Sequence, residues 1–158
     1  MAVFYETENF SVDAFERPHV CRTDGGHAII FPKIPVESRW DLEPKRAIEL
    51  MKLSMVLGEA MMTALNRQGI PVERMNIQDN GNWAIGTERG PRFHLHFYGR
   101  ARDSVHQKRG EALSFPDQAT KFWEGLEPLN EDDVAAISNE IKAINKRRET
   151  TDKMWGLP

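Results

Sequence analysis

One eight-residue stretch, residues 92–99, constrains the fold most because its side chains alternate in character. The run reads Arg-Phe-His-Leu-His-Phe-Tyr-Gly. Successive side chains of a β-strand point to opposite faces of the sheet, so His94 and His96 share one face with Arg92. The opposite face receives the apolar residues Phe93, Leu95 and Phe97. The pattern predicts a strand that presents two imidazoles and a guanidinium on one face, a surface suited to phosphate or a metal ion.

The bulk composition describes an ordinary soluble domain and limits the class of ligand. The chain has 158 residues, of which 40% are apolar and 28% are charged, values typical of a single globular domain with one core. Its formal net charge is -3, whereas broad binding to nucleic-acid backbones needs a clear basic excess. We therefore expect no nucleic-acid partner. A small phosphorylated ligand stays compatible with this charge because it needs only a local cluster of donors.

Cysteine content and hydropathy give a first expectation for the compartment. Cys21 is the single cysteine, so an intramolecular disulfide and a cysteine-rich zinc site are excluded, and we interpret the residue as part of the core. No apolar run approaches the ~20 residues that span a bilayer. Residues 1–10 lack the cationic and apolar pattern of a signal peptide. The sequence therefore predicts a cytoplasmic protein with no membrane partner.

Periodicity and turn residues predict the remaining elements. Apolar residues recur at helical spacing after Pro44 and up to Gly69, which predicts a long helix. A second helix is predicted after the acidic run that begins at Asn130, with one apolar stripe along it. The shorter elements are a helix over 9–16, a β-hairpin of segments 20–22 and 27–31 around an Asp-Gly-Gly turn, and a strand over 72–78. A connection follows over 79–91, in which residues 83–85 form either a short strand or part of a longer loop, and residues 101–127 are polar and irregular.

Two separated segments resemble the signature motifs of the histidine triad (HIT) superfamily, a group of nucleotide-binding hydrolases and transferases. Residues 92–98 match the pattern His-x-His-x-His-x-x, in which x is apolar, with Arg92 in place of the first histidine. Upstream, residues 26–33 read Gly-His-Ala-Ile-Ile-Phe-Pro-Lys and resemble the Gly-His-hydrophobic-Pro segment that supplies a fourth active-site histidine. Residues 75–79 and the loop after them resemble the diadenosine-polyphosphate hydrolase branch.

The resemblance implies an α+β fold for the chain. The HIT-like architecture is an antiparallel sheet of about five strands with one long helix and a C-terminal helix. We expect a single domain over 1–158, with a motif-bearing core at about 20–100 and a C-terminal extension over 101–158. Because family members often pair through the long helix and the sheet edge, a homodimer is also expected.

The resemblance also implies an enzyme that cleaves a nucleotide at its α-phosphate. His94 matches the nucleophile that forms a covalent nucleotidyl-histidine intermediate, which requires a neutral imidazole whose other N–H is held by an acceptor. His96 matches the histidine that donates a hydrogen bond to a phosphate oxygen, and His27 matches the upstream histidine that supports the site. The expected substrate is a nucleotide, a dinucleoside polyphosphate, a nucleoside phosphoramidate or a related compound.

Further residues are assigned to substrate binding through the same resemblance. Gln78 is placed to reach phosphate or sugar, and the loop that contains Thr87 and Gly90 is placed to present backbone N–H groups to phosphate. Arg92 can bind phosphate bidentately but cannot donate a proton near neutral pH, so reduced activity is expected. The covalent step requires no cofactor and no metal, although a divalent cation can accompany a polyphosphate substrate.

Two alternative functions stay open at the level of the sequence. The first is a catalytically weak or inactive nucleotide-binding module, in which Arg92 has converted a reactive site into a sensor. The second, ranked lowest, is a metal-binding protein that holds zinc or a similar ion through His27, His94 and His96. We further expect His19 and His106 to lie at the surface. Asp24 is a candidate for the acid that binds the ribose.

Overall fold

The computed structural model describes the backbone of residues 2–154 and the side chains of residues 3–148; residues 1 and 155–158 of the predicted domain lie outside the described residues. The described elements are β1 (Ala2–Glu6), β2 (Phe10–Ala14), β3 (His27–Pro32), α1 (Pro44–Arg67), β4 (Val72–Asp79), β5 (Leu95–Ala101) and α2 (Glu131–Met154). The strands form one antiparallel sheet in the order β1-β2-β3-β5-β4. This architecture confirms the predicted α+β fold with five strands and two helices.

The hydrophobic core lies between one face of the sheet and α1. Alternate residues of β2, β3 and β5 project into it, and the alternation predicted for the histidine strand is confirmed because Phe93, Leu95 and Phe97 are all buried. α1 contributes an apolar stripe to the same core, consisting of Leu50, Leu53, Val56, Leu57, Ala60, Met61, Ala64 and Leu65. The opposite face of the sheet is thereby left for the histidines.

The two helices pack against each other outside the sheet. α1 begins at Pro44, whose missing N–H is no loss in the first turn, and the chain leaves it through Gly69 at a φ of 86°. In α2, the predicted apolar stripe is confirmed because Ile137, Ile141 and Ile144 are fully buried. Arg67 of α1 also pairs with Glu140 of α2 at 2.6 Å. Within the described chain, neither helix is long and apolar enough to cross a membrane.

Two predictions near the N-terminus are wrong. Residues 10–14 form strand β2 rather than part of a helix over 9–16. Phe10 and Ala14 are four residues apart and fit a helix, but they also fit a strand, and the burial of Val12 between them follows the strand period. The predicted hairpin of 20–22 with 27–31 is also absent, because β3 pairs with β2 and β5.

The predicted Asp-Gly-Gly turn does exist, but it follows a short 3-10 helix, Arg22–Asp24. Gly25 has a φ of 121° and lies directly on β5. A Cβ atom at Gly99 of β5 would lie 2.1 Å from the carbonyl oxygen of Gly25, so both positions require glycine. This close crossing fixes the turn, and the start of β3 that follows it, against the histidine strand.

Candidate active site

The register of the central strands brings the predicted histidines together. In the antiparallel ladders, His27 of β3 is paired with Tyr98 of β5, and His96 lies opposite Gln78 of β4. Residues paired across an antiparallel ladder share a face, so these side chains all lie on the face away from α1. His94 directly precedes β5 and lines the same cavity as His96.

His94 has the hydrogen-bonding state that a nucleophilic imidazole needs. Its Nδ1 lies 2.7 Å from the main-chain carbonyl oxygen of Arg92. Because a carbonyl only accepts hydrogen bonds, Nδ1 carries the proton, and Nε2 is the ring nitrogen that offers a lone pair in this tautomer. The ring stacks on Phe31 at a centroid distance of 5.5 Å, which fixes its plane.

A second chain of hydrogen bonds sets the proton position on His96. The backbone N–H of His19 donates to Nδ1 of His27 at 3.2 Å, so the proton of the neutral His27 ring is on Nε2. That Nε2 lies 2.8 Å from Nδ1 of His96 and therefore donates to it. The proton of neutral His96 is then on Nε2, which is the donor that the resemblance assigns to a phosphate oxygen.

Burial keeps the rings of His19, His27 and His96 neutral. Removal from water lowers the pKa of His19 to about 4, with a smaller effect of the nearby His94. Burial, and then the neighbouring imidazoles, also lower the pKa of His27 and His96 well below the usual range. A charged form is disfavoured in this low-dielectric region. Each ring therefore holds one proton near neutral pH, as the hydrogen-bond directions require.

A cavity of about 480 Å³ opens over the histidine face. His94, His96 and His19 contribute to its floor and wall. Its aromatic walls are formed by Phe15, Phe31, Trp83, Phe115 and Trp123. The remaining polar lining residues are Arg17, Asn80, Asn82 and Gln118. An apolar cavity of this size with a few convergent polar groups is typical of a small-molecule site.

The segment between β5 and α2 covers the cavity and is anchored by Asp24. The buried Asp24 carboxylate accepts hydrogen bonds from the backbone N–H groups of Val105, His106 and Gln107, at 2.9, 2.8 and 3.2 Å. We call residues 102–127 the cover segment. It brings two of the aromatic wall residues over the histidines. Asp24 is therefore occupied by the main chain of this segment and does not line the cavity as a ribose-binding acid would.

The structure separates the predicted site residues into two groups. His94 and His96 lie together in the cavity, and His27 is fully buried behind His96. The four residues predicted to bind substrate do not contribute to the cavity wall: Gln78, Thr87, Gly90 and Arg92. Gln78 is half-buried on the histidine face, whereas Thr87 and Arg92 are exposed. The loop residues that do line the cavity come earlier, at 80–84.

Two members of the site were not identified from the sequence. His19, predicted to lie at the surface, is only 7% exposed and lines the cavity, while His106 is exposed as predicted. Tyr98 binds Nδ1 of His19 through its hydroxyl at 3.0 Å. Strand alternation could have identified Tyr98, because it places the side chain of this residue on the same face of the strand as those of His94 and His96. No local pattern marks His19, because tertiary structure alone brings it to β5.

The fold and the geometry of the site define a class of protein, an α+β domain with the histidine triad fold. Solved structures of histidine triad proteins match nearly the whole chain, which confirms the predicted HIT-like fold. No protein-family model matches the chain, and no curated protein matches it either.

Three solved structures illustrate the likeness. A hypothetical histidine triad nucleotide-binding protein from Sulfolobus tokodaii is 16% identical, with a TM-score of 0.55 over 90% of this chain and 85% of that chain. A zinc-bound histidine triad family protein from Mycobacterium smegmatis is 19% identical, with a TM-score of 0.59 over 93% and 89%. A histidine triad protein from Marinobacter aquaeolei is 16% identical, with a TM-score of 0.59 over 92% and 89%. At these identities the likeness establishes the fold alone.

Proposed function

We propose that this protein is a nucleotide hydrolase or nucleotidyl transferase that acts at an α-phosphate through His94. The observation that carries the proposal is the 2.7 Å hydrogen bond from Nδ1 of His94 to the carbonyl oxygen of Arg92. This bond leaves the Nε2 lone pair available in a cavity that also contains His96. A nucleophile held in its reactive tautomer beside a hydrogen-bond donor is the arrangement that covalent phosphoryl chemistry needs.

The proposed reaction has two displacements at the same phosphorus. Nε2 of His94 attacks the α-phosphorus, and the bond from phosphorus to the leaving group breaks with its electron pair on the leaving group. The leaving group takes a proton from water, because the Arg92 guanidinium stays protonated near neutral pH. Water, or an acceptor hydroxyl in a transferase, then attacks the nucleotidyl-histidine, loses a proton to solvent and releases the nucleotide. His96 donates from Nε2 to a phosphate oxygen where negative charge increases.

The aromatic lining of the cavity favours a nucleotide as the phosphate-containing substrate. Its aromatic side chains, Phe15, Phe31, Trp83, Phe115 and Trp123, offer planar surfaces on which a base can stack. Stacking is tolerant of the base identity, so the proposal covers nucleotides, dinucleoside polyphosphates and nucleoside phosphoramidates. The nucleotide-binding description of the Sulfolobus tokodaii protein favours the same ligand class. A divalent cation is proposed only as a companion of a polyphosphate substrate.

Trapping the intermediate tests this function directly. Wild-type protein is incubated with α-³²P-labelled diadenosine polyphosphate, ATP and an adenosine phosphoramidate, and is quenched in alkali, in which a phosphohistidine survives. We expect acid-labile label on the wild type and none on His94→Ala. His106→Ala, which removes an exposed histidine outside the cavity wall, is the matched control and keeps the label. Full turnover by His94→Ala would contradict the proposal.

A non-catalytic nucleotide-binding module is the second candidate. Two observations favour it: Arg92 is exposed, and among the residues that the structure describes no carboxyl group lines the cavity to protonate a leaving group. The same experiment separates the two functions. Binding of AMP without label on His94 and without turnover of any of these substrates indicates the binding module.

A metal site is a third candidate, with a set of ligands different from the predicted one. His19, His27 and His96 offer ring nitrogens that all lie within 4.8 Å of one another, whereas His94 does not belong to this group. Neutral imidazoles are good zinc ligands, and the Mycobacterium smegmatis structure is zinc-bound. An ion here would replace the hydrogen bond between His27 and His96. Stoichiometric zinc after dialysis, lost in His27→Ala and retained in His106→Ala, would support this candidate.

A homodimer and a cytoplasmic location are further proposals. β4 is an edge strand of the sheet, and α1 presents the exposed apolar side chains Ile48, Met51 and Met55. Exposed apolar side chains on one helix beside an unpaired strand edge favour self-association. Light scattering after gel filtration is expected to give twice the mass of the chain. Met51→Glu is expected to shift the mass to that of a monomer.

A further inference from the structure

His19 is a cavity residue that neither sequence motif contains. Its side chain lies in the connection between β2 and β3, is 7% exposed, and contributes to the cavity wall together with His94 and His96. Rings surround it closely: those of Phe115, Trp83 and Phe122 lie at centroid distances of 5.1, 5.3 and 5.5 Å. A polar ring in such surroundings needs partners for both of its nitrogens.

One nitrogen of His19 has its partner in Tyr98. The Tyr98 hydroxyl lies 3.0 Å from Nδ1 of His19. Asn80 donates its amide N–H to the same hydroxyl oxygen at 3.0 Å. Among the described residues, Nδ1 of His19 is the acceptor within reach of this buried hydroxyl, so the hydroxyl donates its proton to Nδ1. An imidazole carries at least one ring proton, and because Nδ1 accepts a hydrogen bond, that proton lies on Nε2.

The other nitrogen, Nε2, has no hydrogen-bond partner among the described residues. The hydrogen bonds of His19 in this part of the chain are made by its backbone groups and by Nδ1. An N–H group left unpaired in an apolar environment is unfavourable. The ring centroid of His19 lies 5.7 Å from that of His96, which itself presents an Nε2–H group. Two imidazole donors therefore line the same cavity as the nucleophile.

We propose that His19 is a second donor in the phosphate site, binding a non-bridging oxygen of the substrate phosphate through Nε2–H. The inference takes its ligand class, a compound with a phosphate group, from the proposed function. It does not require that the protein turns this ligand over. His19, His94 and His96 then form a triad in space, in which His19 comes from a distant part of the chain. Arg92, at the sequence position of the first histidine, stays outside this triad.

The ratio of the affinities for AMP and adenosine tests the assignment without any turnover. Calorimetry measures both ligands, and their ratio reports the contribution of the phosphate. His19→Gln keeps an amide N–H at about the Nε2 position and is expected to retain most of the ratio. His19→Asn keeps a polar group near Nδ1 but removes the outer donor, so we expect the ratio to fall about tenfold or more. Adenosine affinity is expected to change little in either variant.

Tyr98→Phe keeps the inference falsifiable if substitution of His19 impairs folding, and a phosphate titration adds an independent readout. Tyr98→Phe retains His19 but frees its proton to move to Nδ1, and we expect a severalfold fall in the AMP-to-adenosine ratio. ³¹P NMR titration with inorganic phosphate is expected to show weaker binding to His19→Asn than to His19→Gln. Equal losses for AMP and adenosine, or an unchanged ratio in His19→Asn, would overturn the donor role.

The proposed function fails separately, through the absence of label on His94 in the trapping experiment. If that label is absent but the affinity ratio falls in His19→Asn, the protein is a binding module with the donor assigned here. Equal affinity of the wild type for AMP and adenosine overturns the donor assignment even where turnover is observed.

Discussion

His94 and Arg92 are connected through the main chain rather than through their side chains. The carbonyl oxygen of Arg92 fixes the proton of His94 on Nδ1, while the guanidinium is exposed and does not line the cavity. Every residue type at position 92 provides that carbonyl. The tautomer of the proposed nucleophile is therefore independent of the side chain that replaces the first histidine of the motif.

This independence gives a prediction for Arg92→Ala. The substitution removes an exposed side chain, for which effects of about 0.5 kcal/mol or less are usual, so we expect AMP affinity within about twofold of the wild type. Calorimetry provides the measurement, and His96→Ala, which removes a donor inside the cavity, is the contrasting variant with a large loss. A tenfold loss in Arg92→Ala would show that the guanidinium reaches the phosphate, as the motif comparison predicted.

At the level of elements, the contact between the Gly25 turn and β5 positions the site. β3 starts two residues after this turn, and its first residue is His27. The crossing leaves no room for a side chain on Gly99, since a Cβ atom there would lie 2.1 Å from the carbonyl oxygen and 2.5 Å from the carbonyl carbon of Gly25. The spacing of β3 and β5, and with it the hydrogen bond between His27 and His96, depends on these two glycines.

We therefore expect Gly99→Ala to destabilise the fold by about 3 kcal/mol, because the backbone must move to relieve the overlap. Urea denaturation measures the free energy of unfolding. Gly58→Ala in α1 is the matched control: its new Cβ atom would meet Phe97 at an ordinary 3.9 Å. Alanine in a helix interior is favoured by about 0.5–1 kcal/mol over glycine, so the control is expected to gain stability. Equal effects of the two substitutions would contradict this account.

The elements that the sequence predicts well are those with long or strict periodicity. α1 and α2 each extend over many helical turns, and the histidine strand alternates over residues 92–98. β2 was predicted as a helix because it has five residues, and Phe10 and Ala14 fit either period. The pairing of β3 with β2 rather than with 20–22 depends on contacts that only the folded sheet provides.

The candidate site was predictable in part for the same reason. His94 and His96 follow from the strand alternation, and His27 follows from the second motif. His19 and the aromatic residues of the cover segment reach the cavity through tertiary contacts, which local patterns do not describe. The predicted phosphate loop at Thr87 and Gly90 lies outside the cavity wall, and residues 80–84 occupy that position instead.

At the scale of the whole molecule, the cover segment between β5 and α2 completes the site. The cover segment closes over the histidine face and is attached to the Asp24 turn by three backbone hydrogen bonds. Burial alone would raise the pKa of Asp24, but these N–H groups and the nearby His106 outweigh it and lower the pKa. The carboxylate is thus held in its charged, accepting form.

Asp24→Asn is expected to loosen the cover segment, since the amide keeps one acceptor oxygen where the carboxylate has two charged ones. We expect a loss of about 1.5–3 kcal/mol in the free energy of unfolding, faster hydrogen exchange over residues 105–115 and weaker AMP binding. Asp103→Asn, an exposed acid on the same segment, is the matched control and is expected to change none of the three. Unchanged exchange in Asp24→Asn would contradict the anchoring role.

The buried histidines make the stability of the whole molecule depend on pH. In the unfolded chain a histidine binds a proton below about pH 6.5, whereas the folded-state pKa of His19 is about 4 and those of His27 and His96 are also depressed. Because the unfolded state binds more protons in this window, the free energy of unfolding falls as pH decreases from 6.5, by about 1.4 kcal/mol per pH unit for each such histidine.

Urea denaturation between pH 4.5 and 8 measures this slope of the free energy of unfolding against pH, and His19→Phe is expected to reduce the slope by about one proton. Phe115→Leu leaves every titratable group in place and keeps an apolar side chain beside His19, so its slope should stay near that of the wild type. A His19→Phe slope equal to that of the wild type would contradict the linkage to His19.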